Sequence, residues 1–194
     1  MLVMNATEAE IHEKLAVTES KIVITVDLAL EKIVQASRET SVKHIIGVSL
    51  AESMPCVIGT LYKWKSKIKQ ENCILFSEFL KAGQGKKIDC QEIKADAPAI
   101  IAYTGGTTGK AKGVLLSNRA ANTIAFQYKY ADKVLDFQNG ERFLDTIPPF
   151  LAYGLFLGVH MVLCVGLENI LCPDPTAEHF PQQFLKYKPN HLSG

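Results

Sequence analysis

"PAIIAYTGGTTGKAKGVLLS", Pro98 to Ser117, is the stretch on which the reading of the fold turns. Its first part, Pro98 to Thr104, is rich in residues that favour an extended chain and predicts a strand. Its last part, Gly113 to Ser117, predicts a second, short strand. Tyr103 to Gly113 holds four glycines, three threonines and two lysines in eleven residues. Glycine permits positive φ and leaves backbone N–H groups unshielded. Successive N–H groups turned inward form a nest for an anion. Thr104, Thr107 and Thr108 add hydroxyl donors, and Lys110 and Lys112 add charge. The combination suits an oligophosphate. A solvent-exposed hairpin turn would need only one or two glycines.

Two well-known phosphate loops do not fit. A Walker A loop needs G-x-x-x-x-G-K-[ST] and opens directly onto a helix. Here only three residues separate Gly105 from Gly109, Ala111 follows Lys110, and a strand follows the loop. The G-x-G-x-x-G of dinucleotide-binding folds is absent too.

Working outward, Ser117 or Asn118 is placed to cap a helix running to about Asp132. "RFLDTIPPF" predicts a strand that stops at Pro148-Pro149, followed by an apolar helix from about Ala152. "ENILCPD" (Glu168 to Asp174) predicts another strand, and "PQQFLKYK" (Pro181 to Lys188) a helix with proline in its first turn. The N-terminal part repeats the alternation. Ala6 to Leu15 predicts a helix capped by Thr7. Lys21 to Asp27 is a β-branched strand, Leu28 to Thr40 a helix with Asp27 as its candidate N-cap, and Val42 to Leu50 a second strand. Strand, helix, strand is a βαβ unit and implies parallel pairing. Between the halves, a turn at Pro55 leads into an irregular piece and a helix. Ser77 to Lys81 predicts a helical turn, and "KAGQGKKIDCQEI" a surface loop whose Lys81, Lys86 and Lys87 are solvated. The expected fold is α/β, a mostly parallel sheet with flanking helices, in two regions, 1–97 and 98–194.

Composition narrows the function classes. The chain is 47% hydrophobic and 21% charged, ordinary for a globular protein. A net charge of +1 gives no footprint for nucleic acid or an acidic membrane. The five cysteines, at 56, 73, 90, 164 and 172, form no CxxC pair, which fits a reduced cytoplasmic setting and disfavours structural zinc. No signal peptide is visible. Phe150 to Leu167 carries no Asp, Glu, Lys or Arg over 18 residues. That length sits at about the lower limit for crossing a bilayer. His160 interrupts the run, three glycines dilute it, and no basic clusters flank it. A buried core helix, with His160 as a core histidine, is the expectation.

"YTGGTTGKAKGVLLS" resembles the phosphate-binding signature of the adenylate-forming (AMP-binding) superfamily, roughly Y-T-S-G-T-T-G-x-P-K-G-V. Tyr103, Thr104, Gly106, Thr107, Thr108, Gly109, Lys112, Gly113 and Val114 match. Gly105 stands for the usual Ser or Thr and Ala111 for Pro, which loosens the loop and removes one hydroxyl. "IPPFLAYGL" (Ile147 to Leu155) is similar to the family's P-L-F-H-x-x-G: Pro148, Phe150 and Gly154 fit, and Leu151 stands where the family has His or an aromatic residue. Phe150 taken alone also reads as a core residue. "KYKPNHLSG" (Lys186 to Gly194) resembles a later segment, and the style is closest to acyl-CoA synthetases.

The resemblance implies a ligase that joins a carboxylate to ATP and passes the acyl group to coenzyme A. It implies ATP phosphate contacts from Thr104, Gly105, Gly106, Thr107, Thr108, Gly109 and Lys112, with Thr104 near Mg²⁺. Phe150, Leu151, Tyr153 and Gly154 become acyl-pocket candidates. No catalytic residue of the family is assigned within this chain. Family members exceed twice this length, and the adenine-binding segment, the T-E motif, the ribose-binding Asp and the catalytic Lys are expected beyond residue 194. The chain is therefore expected to be an internal fragment of the large N-terminal domain, inactive alone and self-associating through cut surfaces. Two rivals stay open: a non-catalytic nucleotide-binding module using the same loop, and a membrane-associated protein anchored by Phe150 to Leu167.

Overall fold

The computed structural model describes residues 6–55, 58–59, 62, 73–88, 92–104, 112–131, 136–172, 176 and 178–193. The chain divides into two compact units, Leu2–Asp89 and Cys90–Gly194.

The first unit opens with α1 (Glu8–Thr18). Its start is fixed by a capping box: the Glu10 N–H donates to the Thr7 hydroxyl at 3.3 Å, and the Thr7 N–H donates to the Glu10 carboxylate at 2.7 Å. Those bonds hold the Glu10 carboxyl below its ordinary pKa, the Thr7 backbone bond foremost. β1 (Ile22–Val26), α2 (Leu30–Ala36) and β2 (His44–Val48) form the expected βαβ unit, with parallel register from Ile22↔His44 to Val26↔Val48. Ile11 and Leu15 of α1 and Leu30, Ile33 and Ala36 of α2 join Val23 and Ile45 in one core. β3 (Cys73–Leu75) pairs parallel with β2, giving the order β1-β2-β3. α3 (Phe76–Gly83) follows it and takes in the first residues of the expected surface loop.

Asp27 does not cap α2. Residues Asp27–Ala29 form a 3-10 turn, and Ala29 precedes α2 with no side-chain cap. The Asp27 carboxylate instead accepts from the Leu50 N–H at 3.2 Å and from the Ser49 and Tyr62 hydroxyls at 3.3 and 3.2 Å. These distant donors tie the carboxyl ends of β1 and β2 together, so the carboxylate is not available to the helix beside it.

In the second unit, β4 (Pro98–Tyr103) and β5 (Gly113–Ser117) make an antiparallel pair, and α4 (Asn118–Tyr130) follows directly. β6 (Arg142–Asp145), β7 (Glu168–Leu171) and β8 (His191–Ser193) form a parallel sheet in the order β7-β6-β8. The crossover from β6 to β7 is a π-helical segment, Gly154–Met161, that continues into α5 (Val162–Val165). The crossover to β8 carries α6 (Phe180–Tyr187), with proline in its first turn as expected. All pairings in the two three-stranded sheets are parallel, and among the described residues only the β4–β5 hairpin is antiparallel. Residues 95–97 fasten to the second unit: the Asn118 N–H donates to the Ala97 carbonyl and the Arg119 N–H to that of Ala95.

The apolar run is a core helix on one face only. Phe156, Leu157, Met161 and Val162 are buried, while Leu163 is 65% exposed. His160 is half-buried at the seam with α4, its Nε2 3.1 Å from the Asn122 Oδ1, rather than in the core. Among the described residues no helix is long and apolar enough to cross a membrane.

Candidate functional site

Two pieces of the second unit carry the candidate site. The first is the hairpin that holds the glycine loop. β4 and β5 run in register from Ile100↔Leu116 to Tyr103↔Gly113. One step further, the Thr104 N–H donates to the Lys112 carbonyl at 2.9 Å, and the Thr104 hydroxyl donates to the same oxygen at 3.3 Å. The loop is thus closed at its base. Gly113 is closely packed there: a Cβ would stand 3.0 Å from Ile101 Cγ2 and 3.4 Å from the Tyr103 ring. Thr104 and Lys112 are exposed at the mouth. Gly105, Gly106, Thr107, Thr108 and Gly109, with Lys110 and Ala111, lie outside the described residues.

The hairpin is also fixed behind. The Ser117 hydroxyl accepts from the Ala120 N–H at 3.2 Å and caps α4. Arg119 makes a two-pronged bond to Asp96, with Nε to Oδ1 at 2.8 Å and Nη2 to Oδ2 at 3.1 Å. That bond holds the Asp96 carboxyl below its ordinary pKa. The pair is exposed, so it orients more than it stabilises. α4 packs on both β4–β5 and the π-helical segment, with Ala121 and Ala125 buried.

The second piece is the bend after β6. Ligands of α/β proteins bind outside the carboxyl ends of parallel strands, and β6 is the middle strand of its sheet. The Ile147 N–H donates to Asp145 Oδ1 at 3.1 Å and starts the bend. The Leu151 N–H donates to the Pro148 carbonyl at 3.0 Å, and the Leu155 N–H to that of Leu151 at 2.9 Å. Gly154 is buried so tightly that a Cβ would meet the Pro148 carbonyl oxygen at 2.4 Å. The bend brings Phe150, Leu151 and Tyr153 together, 41%, 47% and 50% exposed. Phe150 is therefore not a core residue. Three large apolar side chains beside a strand terminus suit an apolar ligand.

Sequence reasoning missed Asp145, Gly158, Asn169 and Ser193, which meet beneath this bend. An acid directly after the apolar pair Phe143–Leu144, at the end of a strand, was the available signal. Among the described residues no cluster of three His, Cys, Asp or Glu side chains could hold a metal. The Thr104 hydroxyl gives its hydrogen to Lys112, and its oxygen lone pairs remain suited to a hard cation held mainly by phosphate.

A family model described as "AMP-binding enzyme" matches residues 1–194. The long-chain-fatty-acid–CoA ligase of Bacillus subtilis (strain 168) is 29% identical over 176 residues, covering 86% of this chain and 31% of that protein. Among solved structures, the anthranilate CoA ligase AuaEII in complex with anthranoyl-AMP superposes over 98% of this chain and 34% of its own, with a TM-score of 0.77 at 17% identity. The benzoate CoA ligase from Burkholderia xenovorans LB400 covers all of this chain and 34% of its own, with a TM-score of 0.74 at 20% identity. The chain spans about a third of the length of these relatives. With a strand–glycine loop–strand hairpin set beside a parallel α/β sheet, and a family match along its whole length, this chain belongs to the AMP-binding enzyme family.

Proposed function

We propose that this chain is part of an ATP-dependent carboxylate–CoA ligase and supplies its phosphate loop and part of its acyl pocket. The observation that carries the reading is the hairpin closure at Thr104 and Lys112 around a T-T-G-x-x-K-G loop, in a chain of this family. The regions 1–97 and 98–194 are then two parts of one incomplete AMP-binding domain.

A carboxylate oxygen attacks the α-phosphate of ATP, pyrophosphate leaves, and an acyl-adenylate remains. The sulfur of coenzyme A then attacks the acyl carbonyl and displaces AMP. The loop acts on the first step. Thr104, Thr107, Thr108, Lys112 and the N–H groups of Gly105, Gly106 and Gly109 hold the phosphates in place and stabilise charge moving onto pyrophosphate. Thr104 would help to hold Mg²⁺, which would supply further charge neutralisation. Phe150, Leu151 and Tyr153 line the acyl side, with Gly154 allowing the close turn beneath them. The B. subtilis relative's name supports a fatty acid as substrate, and the two structural neighbours' names keep aryl acids in the test.

The setting is cytoplasmic, in keeping with Cys73 and Cys164, which form no disulfide among the described residues. Exposed Val114 and Leu115 on β5 favour self-association of the chain. Sedimentation checks this, and a monodisperse monomer would contradict it.

The test of function is thioester formation by the complete gene product that carries this chain, from a carboxylate, ATP and coenzyme A. AMP and pyrophosphate are the expected co-products. ADP and phosphate in their place would overturn the reading.

A further inference from the structure

Asp145 occupies the last position of the middle strand β6 and is 2% exposed. A buried carboxyl is costly unless its oxygens are matched, and here they are matched unequally. Oδ1 accepts from the Ile147 N–H at 3.1 Å and from the Ser193 hydroxyl at 3.3 Å. Oδ2 is buried with no hydrogen-bond partner among the described residues. It lies against the π-helical segment, where a Cβ on Gly158 would stand 2.0 Å from it. From β7, the Asn169 amide donates to the Gly158 carbonyl at 2.7 Å, and the Asn169 Oδ1 is likewise buried without a partner. On β8, the Ser193 carbonyl accepts from the Thr146 hydroxyl.

All these contacts bear on one bend. They fasten residues 145–147 to β8, and they set the height of the helix above β6 at Gly158. Between those points the chain carries Phe150, Leu151 and Tyr153. Packing alone does not call for an acid here, since a well-packed apolar residue in place of a buried charged group is often neutral or stabilising. What the acid adds is directional: one oxygen takes two donors from different segments and fixes both.

We propose that Asp145 is a positioning residue for the carboxylate substrate, holding the bend that presents Phe150, Leu151 and Tyr153. This rests on the ligase reading for what the bend contacts. It assigns Asp145 no contact with substrate.

The test compares Asp145→Ala, Asp145→Asn and Ser193→Ala in the complete gene product, with two readouts. Carboxylate-dependent pyrophosphate exchange gives KM for the acid and for ATP. Amide hydrogen exchange follows residues 142–155 and the β4–β5 hairpin. Asp145→Ala is expected to raise the KM for the acid roughly tenfold, because small misplacements of positioning groups carry large rate costs. KM for ATP should stay unchanged, since a different hairpin holds the phosphates. Asp145→Asn should restore the acid KM, because its side-chain oxygen can accept the same two donors. Ser193→Ala should fall between and serves if Asp145→Ala does not fold. Amide exchange should quicken at Ile147 and Leu151 in Asp145→Ala and not in the hairpin. Equal effects of Ala and Asn, a joint rise of both KM values, or uniform quickening across the unit would overturn the proposal. If the unmutated protein shows no exchange with any acid, the ligase reading fails. Amide exchange then decides alone: quickening confined to the bend keeps the positioning role, and any other pattern removes it.

Discussion

Gly154 and Asp145 show how much of the candidate site is decided by single atoms. At Gly154 a Cβ would collide with backbone oxygens of Ile147 and Pro148, which cannot rotate away. Gly154→Ala is therefore expected to cost about 1–3 kcal/mol, as overpacking does. Chemical denaturation of the two proteins measures it, and an unchanged midpoint would contradict the close contact. At Asp145, burial raises the carboxyl above its ordinary pKa, partly offset by the bonds from Ile147 and Ser193, neither of which is charged. The sign follows from linkage. Below the ordinary carboxylate range both states are protonated and the shift has no effect. As pH rises from about 4, where free Asp ionises, the unfolded chain loses its proton first. The residue's contribution to stability then falls until pH passes the raised folded value. Asp145→Asn removes this slope, so its stability relative to the unmutated chain should improve as pH rises from about 4 toward neutrality. Denaturation midpoints at several pH values check it, and a constant difference would refute it. The family could be read from the loop's glycines and threonines because that motif is local in sequence. The Asp145–Ser193 bond joins positions 48 residues apart. No local pattern marks it.

At the scale of elements, local rules carried most of the reading. Thr7 and Ser117 announce their helices, and both caps form. β-branched runs gave β1 and β2, and the βαβ alternation gave parallel pairing. β3 has only three residues, too few for any periodicity to show. Asp27 has the right residue type for a cap, but donors from the β2 terminus take its carboxylate. The apolar run suggested burial all round, yet one face meets the core and the other does not. Ser117 has a testable place at this scale, since it ends the hairpin strand and starts α4 in one residue. Ser117→Ala should cost about 1 kcal/mol, the usual worth of a cap. Helix content near Asn118 should fray first, as read by amide exchange at Ala120. Unchanged protection there would mean that packing of Ala121 and Ala125, not the cap, sets the helix start.

For the whole molecule, two units share one family match, and the proposed phosphate-loop and acyl-pocket residues all belong to the second. On the proposed reading the hairpin would hold phosphate at Thr104 and Lys112 and the bend after β6 would take an apolar acid; α4 packs on the hairpin and on the π-helical segment that follows the bend. That division of labour makes carboxylate-dependent exchange of labelled pyrophosphate into ATP the most direct measurement. It would use the complete gene product with acetate, medium and long fatty acids and aryl acids, beside Lys112→Ala and Thr107→Ala. The 194-residue chain alone serves as a control that should be silent. Exchange is expected with one acid class, weakened roughly 100-fold in Lys112→Ala, the scale of losing one preorganised donor to developing charge. No exchange with any acid, while ATP still binds, would contradict the ligase and leave a loop that only binds nucleotide.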